Sequence, residues 1–446
     1  DPAADVRVFY EPDIRYEAGV LKTSDGASLL VTLTSNTQTE IWHVPAALPP
    51  ADPQPLAVRC AQHEYSVDRR GGWFYIRTNL DASNFRVVVA PVTAPGIAHW
   101  QELVPHDPDF LIENLITFAQ HVVLCGRSGG LPAIRVLHMA EGEPRILENH
   151  DVTFPEPAYT CSLVRNALYD TSLLYFAYSS PVTPNTVYAY DMQQRTLAIV
   201  KREDVNGYDP SRYAVERVWA TAADGTRVPM SLAYRKGLAR DGSSPAFLYG
   251  YGAYGASTEP RFVSQRISLL ERGFVVVMAH IRGGSEMGRM WYETGKMLHK
   301  RNTFTDFIAC AEALIAAGYT NPAKLVIGGR SAGGLLMGAV TNLRPDLFAG
   351  VLAGVPFMDV INTMLDPSIP LTAMEYEEWG NPDVPEQYAY MRSYSPYDNL
   401  AAATYPRLLL TAGLHDPRVQ YWEPAKYAAK LRALQLEHGG PNNLVL

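Results

Sequence analysis

Four cysteines in 446 residues, Cys60, Cys125, Cys161 and Cys310, stand far apart, with neither a C-x-x-C pair nor metal-ligand spacing. Such sparse cysteine excludes a disulfide framework and reads as free thiols in a reducing, cytoplasmic compartment. Long hydrophobic runs are missing too: no apolar stretch approaches the roughly 20 residues that span a bilayer. The opening DPAADVRVFYEPDIRY lacks the charged-then-apolar order of a signal peptide, so neither membrane insertion nor export is indicated. Positive charge is in short supply, with 38 Lys and Arg against 46 Asp and Glu and a formal net charge of -8. That balance excludes the electrostatic footprint of a nucleic-acid binder, whereas an acidic field attracts cationic ligands. No motif calls for a cofactor or a metal.

What is present divides into two patterns. Residues 1–207 are short β-rich runs broken by turn residues, with almost no helical periodicity. Similar units, an apolar strand, a polar turn and a second strand, begin at Ser28, Gly72, His121 and Ser172, a spacing of roughly 44 to 51 residues that suits propeller blades. Four blades alone would form an arc with open sheet edges, so the expectation is a partial β-propeller, with another kind of β array as the alternative. After the linker REDVNGYDPSRY, residues 208–446 alternate apolar runs (AFLYGYG, FVVVMAHIRG, KLVIGGRS, FAGVLAGVPF, RLLLTAGLHD) with helical segments such as TFTDFIACAEALIAAG and EPAKYAAKLRAL. Strand-helix alternation predicts a mostly parallel sheet covered on both faces, with ligands at the carboxyl ends of its strands.

Within that half, IGGRSAGGLLMGAV places Ser331 between glycines. A bare G-x-S-x-G is also the pattern of a plain glycine turn with a solvated serine. Here an apolar run precedes it and a helical run follows, the strand, sharp turn and helix of a nucleophile elbow. Gly329 and Gly333 let the backbone crowd at the turn, and the Ala332 amide is free to face a developing oxyanion. A serine nucleophile needs a histidine base, which in turn needs a carboxylate to orient it, in the chain order Ser, Asp or Glu, His. Asp416, just beyond RLLLTAGL, stands where a parallel strand would deliver that carboxylate; its alternative role is to cap the following helix.

Together, GGRSAGG, GLHDPRVQYWEPAKY, YGYGAYG and AHIRGGSEMGRMWYETG resemble the prolyl oligopeptidase family of serine peptidases, and most closely its oligopeptidase B branch. The similarity runs almost continuously from about Tyr213 to Leu446 and is weaker but compatible in the β-rich half. It implies an α/β-hydrolase domain joined to a seven-bladed propeller that covers the active site. It also implies Ser331 as nucleophile, Asp416 as the histidine's partner, and the Tyr251 hydroxyl as an oxyanion donor beside Ala332. Tyr249 is the alternative donor, and motif register favours Tyr251. Arg418 matches a position that holds a substrate carbonyl, a task suited to an always-charged planar donor; alone, it could equally bridge to a carboxylate over the helix start.

The segment PLTAMEYEEWGNP carries Glu375, Glu377 and Glu378, which composition alone would assign to a solvated helix face. The resemblance makes Glu375 and Glu377 the carboxylates for a lysine or arginine side chain just before the scissile bond, with Phe357 as the aromatic wall along its stem. A guanidinium entering a partly dry pocket requires such a counter-charge. On a helix, however, Glu375 and Glu378 share a face and Glu377 points elsewhere. Some relatives hold two acids after YGAS for a second basic residue; here TEPRF keeps Glu259 and has Arg261 in the other place, which puts a dibasic preference in doubt. Glu286 reads as a loop brace, His280 as a buried strand-end histidine, and Trp379 and Trp422 as core or pocket-wall aromatics.

The expected activity is hydrolysis of short basic peptides after Arg or Lys. The alternatives are a prolyl-specific relative and a peptide-binding scaffold without catalysis. His438 in LEHGGPNNLVL invites assignment as the base, but it falls where the helix stops, with Gly439 and Gly440, at the amino end of the last strand. The family's histidine arrives after that strand. The chain, which starts without Met and stops in a strand, therefore reads as truncated at both ends, with the triad histidine supplied by a missing C-terminal segment or a companion fragment.

Overall fold

The computed structural model describes residues 7–13, 15–35, 37–47, 52–437 and 444–445. His438 and the glycines beside it lie outside the described residues. The first half forms four antiparallel four-stranded sheets, over residues 17–55, 65–104, 110–151 and 160–202, each with its strands in chain order.

The inner strands of the second and third sheets bury residues on both faces, which is why they read as apolar runs, whereas edge strands such as Glu17–Lys22 and Thr196–Arg202 are exposed. In the third sheet, Val122, Leu124, Leu137 and Met139 pack against Tyr75, Val87 and Val89 of the second. Val123, Ile134 and Val136, on the opposite face of the same strands, pack against Leu174, Phe176 and Tyr178 of the fourth. Because side chains alternate across a strand, one sheet feeds two cores and the sheets stack face to face. Leu30 and Ile41 of the first sheet join Phe74, Ile76 and Val88 of the second in the same way. This is the blade-on-blade packing of a propeller.

The second half is built on eight strands: β1 (Tyr213–Thr221), β2 (Arg227–Arg235), β3 (Ala246–Tyr249), β4 (Val275–Ala279), β5 (Leu325–Arg330), β6 (Gly350–Gly354), β7 (Arg407–Thr411) and β8 (Leu444–Val445). Their order in the sheet is β1-β2-β4-β3-β5-β6-β7-β8. Every pair from β4 onward is parallel, whereas β1, β2 and β4 pair antiparallel. All five apolar runs singled out in the sequence are strands. The helices α1 (Arg301–Ala316), α2 (Ala332–Leu343) and α3 (Trp422–Glu437) contribute to the layers beside the sheet. Phe304, Phe307 and Leu314 of α1, and Leu335, Leu336 and Val340 of α2, are buried in one core with β3 to β7. Trp422 departs from expectation: it is 43% exposed, edge-on to Tyr421, because it opens α3 on the solvent side.

One buried arginine is held by two carboxylates. Arg282, just after β4, donates from Nη2 to Asp306 Oδ1 (2.6 Å) and from Nη1 to Asp224 Oδ2 (2.6 Å), tying α1 to the loop between β1 and β2. Among the described residues no helix is long and apolar enough to cross a membrane, and no group of His, Cys, Asp and Glu could hold a metal ion.

Candidate active site

The end of β5 delivers Ser331 to the carboxyl edge of the sheet, and α2 begins at the next residue. Ser331 adopts φ 56° and ψ -118°, a conformation that costs a non-glycine residue of order 1–3 kcal/mol and recurs where a catalytic side chain must be presented. The turn is closed by Ser331 N–H to the Gly354 carbonyl (2.9 Å) and by Gly334 N–H to the Ser331 carbonyl (2.8 Å). Its tightness explains the glycine at 329, where a Cβ would lie 2.3 Å from the Gly333 carbonyl oxygen. Ala332, as the first helical residue, has an N–H without an intrahelical acceptor.

Ser331 opens onto a cavity of about 190 Å³ also lined by Ala332, Tyr251, Tyr254, Phe357, Thr363, Glu375 and Arg418. Six of the residues singled out from sequence thus meet in one place, although they come from five separate segments. Tyr251 follows β3, and its phenol is pushed up to about 12 by burial and by the neighbouring Tyr249, Glu378 and Glu375, so it remains a hydrogen-bond donor at neutral pH. Tyr249 is not in that lining; it lines a second cavity, shared with Tyr251, beside Glu259, Arg261 and Arg266. Phe357 is 7% exposed and packs edge-on to Trp379 at 5.5 Å.

Glu375 immediately precedes the short helix Tyr376–Trp379, and its side chain does not cap it. Its Oε2 accepts from the Tyr254 hydroxyl (2.8 Å) and from Trp379 Nε1 (2.6 Å). Burial, with Glu378 adding to it, holds its carboxyl above the usual glutamate range, against the pull of Trp379, Tyr254 and Arg418. The cavity therefore holds a carboxylate short of counter-charge. Arg418, exposed at the rim, has no carboxylate partner among the described residues.

Three sequence candidates lie elsewhere. Asp416 stands beyond β7 on the edge that carries Ser331, since Gly354 pairs with Thr411 in register. Its Oδ1 accepts the N–H groups of Arg418 (2.9 Å) and Val419 (3.1 Å), closing a turn ahead of α3 rather than capping that helix, and its second oxygen makes no hydrogen bond among the described residues. Glu377 is exposed and does not line the Ser331 cavity; it lines one neighbouring cavity with Glu375, Glu378 and Arg289, and another with Arg15, Tyr16 and Gln38. Glu259 is ion-paired with Arg127 of the third blade, which also binds Glu113 (2.8 Å), so a propeller residue satisfies its charge. As read from sequence, Glu286 braces a loop, accepting Thr258 N–H at 2.7 Å, and His280 Nε2 meets Ser231 Oγ at 2.7 Å. Sequence reasoning missed Tyr254, which lies in YGAYG, and Lys300, which a basic HKRN run disguises as a surface residue.

Residues 260–444 match the Prolyl oligopeptidase family, and residues 1–203 match Prolyl oligopeptidase, N-terminal beta-propeller domain. The chain belongs to the prolyl oligopeptidase family. Its fold is an α/β-hydrolase domain joined to propeller blades. It is similar to "Dipeptidyl aminopeptidase BI" of Pseudoxanthomonas mexicana, 43% identical over 98% of this chain and 60% of the relative. It is also similar to "Protease 2" of Moraxella lacunata, 40% identical over 100% of this chain and 63% of the relative. Oligopeptidase B from Leishmania major superposes with a TM-score of 0.90 at 42% identity, covering 97% of this chain and 61% of that one. The chain thus spans under two thirds of the length of these relatives.

Proposed function

We propose that residues 208–446 are the catalytic part of a serine oligopeptidase that cleaves short peptides after Arg or Lys, beneath a propeller contributed by residues 1–207. The observation that carries this reading is that Ser331, on its strained elbow, and Glu375, a half-buried carboxylate, line one cavity. In the reaction, Ser331 Oγ attacks the carbonyl carbon after the basic residue and loses its proton to a base. The oxyanion accepts from Ala332 N–H and the Tyr251 hydroxyl, donors whose bonds strengthen as charge develops. Collapse breaks the C–N bond as the base protonates the departing amine, and water then hydrolyses the acyl-enzyme by the same steps in reverse. Glu375 takes the guanidinium or ammonium, Phe357 lies along the aliphatic stem, and Arg418 at the rim holds a substrate carbonyl.

The base in this reading is a histidine oriented by the free oxygen of Asp416, and it comes from outside the described lining of the cavity, which includes no histidine. The alternative kept from the sequence is a peptide-binding scaffold. The two are separated with the full-length protein by labelling with a serine-directed reagent, followed by turnover of matched peptides carrying Arg, Pro or norleucine before the scissile bond. Labelling of Ser331 with preference for Arg supports the peptidase; binding without labelling or turnover supports the scaffold. A Pro preference would transfer the Phe357 and Trp379 wall to a prolyl-specific enzyme.

A further inference from the structure

Behind the cavity lies a buried ion pair that the reaction described above does not use. Lys300 opens toward α1 and is 1% exposed; Glu378 is 4% exposed; their Nζ and Oε1 stand 3.9 Å apart. Lys300 also donates to the Gly252 carbonyl and sits 4.8 Å over the Trp379 ring. Glu378 accepts the Tyr254 N–H (3.0 Å) and the Tyr292 hydroxyl (2.7 Å). The pair therefore grips the turn of residues 250–255 at two points, and Tyr251 lies immediately before the first of them.

That turn needs holding. Gly252 has φ 72°, and a Cβ there would meet Thr303 Cγ2 at 2.5 Å. Tyr254 has φ 60°, strained for a residue with a side chain, and its hydroxyl reaches Glu375. One carboxylate, Glu378, thus fixes the backbone of the residue whose side chain orients Glu375, and its partner Lys300 fixes the residue next to Tyr251. Burial pushes the Lys300 ammonium down to about 8, with Glu378 opposing.

We propose that Lys300 and Glu378 are positioning residues that set the oxyanion donor Tyr251 and the specificity carboxylate Glu375 in one register, without touching substrate. The inference rests on the roles assigned to those two residues under the proposed function. A donor displaced by about 1 Å can lose roughly a hundredfold in rate, which sets the size of effect expected when either hold on the turn is removed.

The test uses the full-length protein with Glu378→Gln, Lys300→Met and the double variant. Rates are expressed per serine titrated by a covalent reagent, so that unfolded molecules are not counted. Each single variant is expected to lower kcat by about a hundredfold for both Arg and norleucine peptides, with KM changed less, and the double variant to be no worse than either single one. An activated ester without a cationic side chain reports on Tyr251 alone, so the pair can be judged even if Arg selectivity proves to lie elsewhere. Unchanged kcat per titrated serine alongside a lower Tm would make the pair merely structural and overturn the proposal. Loss confined to Arg peptides would overturn the link to Tyr251. Should these variants fail to fold, Tyr292→Phe, which removes one donor to Glu378, is expected to lower kcat for all substrates in the same sense; no effect would count against the pair.

Discussion

Replacing Glu375 with Gln removes one charge while keeping the size of the side chain and one carbonyl oxygen for its two donors. Tyr254 and Trp379 both bond Oε2, so the amide can be seated with its oxygen there, and folding should be little affected. What is lost is the counter-charge for a cation entering a half-buried site. Truncating one partner of such a pair costs about 2 to 5 kcal/mol, which at about 1.4 kcal/mol per decade is roughly 30-fold to several thousandfold in kcat/KM. The assay is kcat/KM for two peptides that differ only in Arg or norleucine before the scissile bond. The Arg peptide should lose that factor and the norleucine peptide little. The same carboxyl gives the effect a pH dependence: burial raises it above the usual glutamate value, so preference for Arg should fade as pH falls through a midpoint above about 4.5 in kcat/KM, which reports the free enzyme. Equal losses for both peptides would refute the reasoning and leave Glu375 a structural acceptor for Tyr254 and Trp379.

Ser331→Ala should abolish covalent labelling and reduce peptide hydrolysis to a residue of about 10³ to 10⁴ over water, with an unchanged unfolding transition; near-normal turnover would remove Ser331 from the mechanism. Tyr251→Phe should lower kcat by about 10² to 10³ with little change in KM, whereas Tyr249→Phe, in the neighbouring cavity, should not; the reverse pattern would exchange their roles. Glu423, 1% exposed at the start of α3, has its carboxyl pushed up to about 7 by burial despite accepting from Thr363, Met358 and Asp359. Between about 4.5 and 7 the folded state keeps a proton that the unfolded state releases, so stability should fall as pH rises through that window, by at most roughly 3 kcal/mol. Thermal unfolding across the window checks this, and a slope that persists in Glu423→Gln would show that another group causes it.

Several features were legible because they depend on covalent neighbours. The crowding of Gly329, Ser331 and Gly333 after an apolar run encodes a turn whose backbone approach tolerates no side chain at 329. The runs KLVIGG and RLLLTAGL are strands, the first buried on both faces and the second with Leu408 and Leu410 buried and Leu409 exposed, and their parallel register put Ser331 and Asp416 on one sheet edge. The helical offset of Glu375, Glu377 and Glu378 likewise left the middle acid exposed and the last one buried, although all three line one cavity beside the Ser331 site. Tertiary structure decided what no local pattern carries, namely which charge meets which. Glu259 looked available for a substrate cation until the fold brought Arg127, 132 positions away, onto it. Lys300, which no sequence pattern singled out, is buried because the turn at Gly252 and the helix at Glu378 close over it. Burial converts such encounters into specificity, because a desolvated charge must find its partner wherever the chain path delivers one. The chain path belongs to the whole sheet rather than to any short segment.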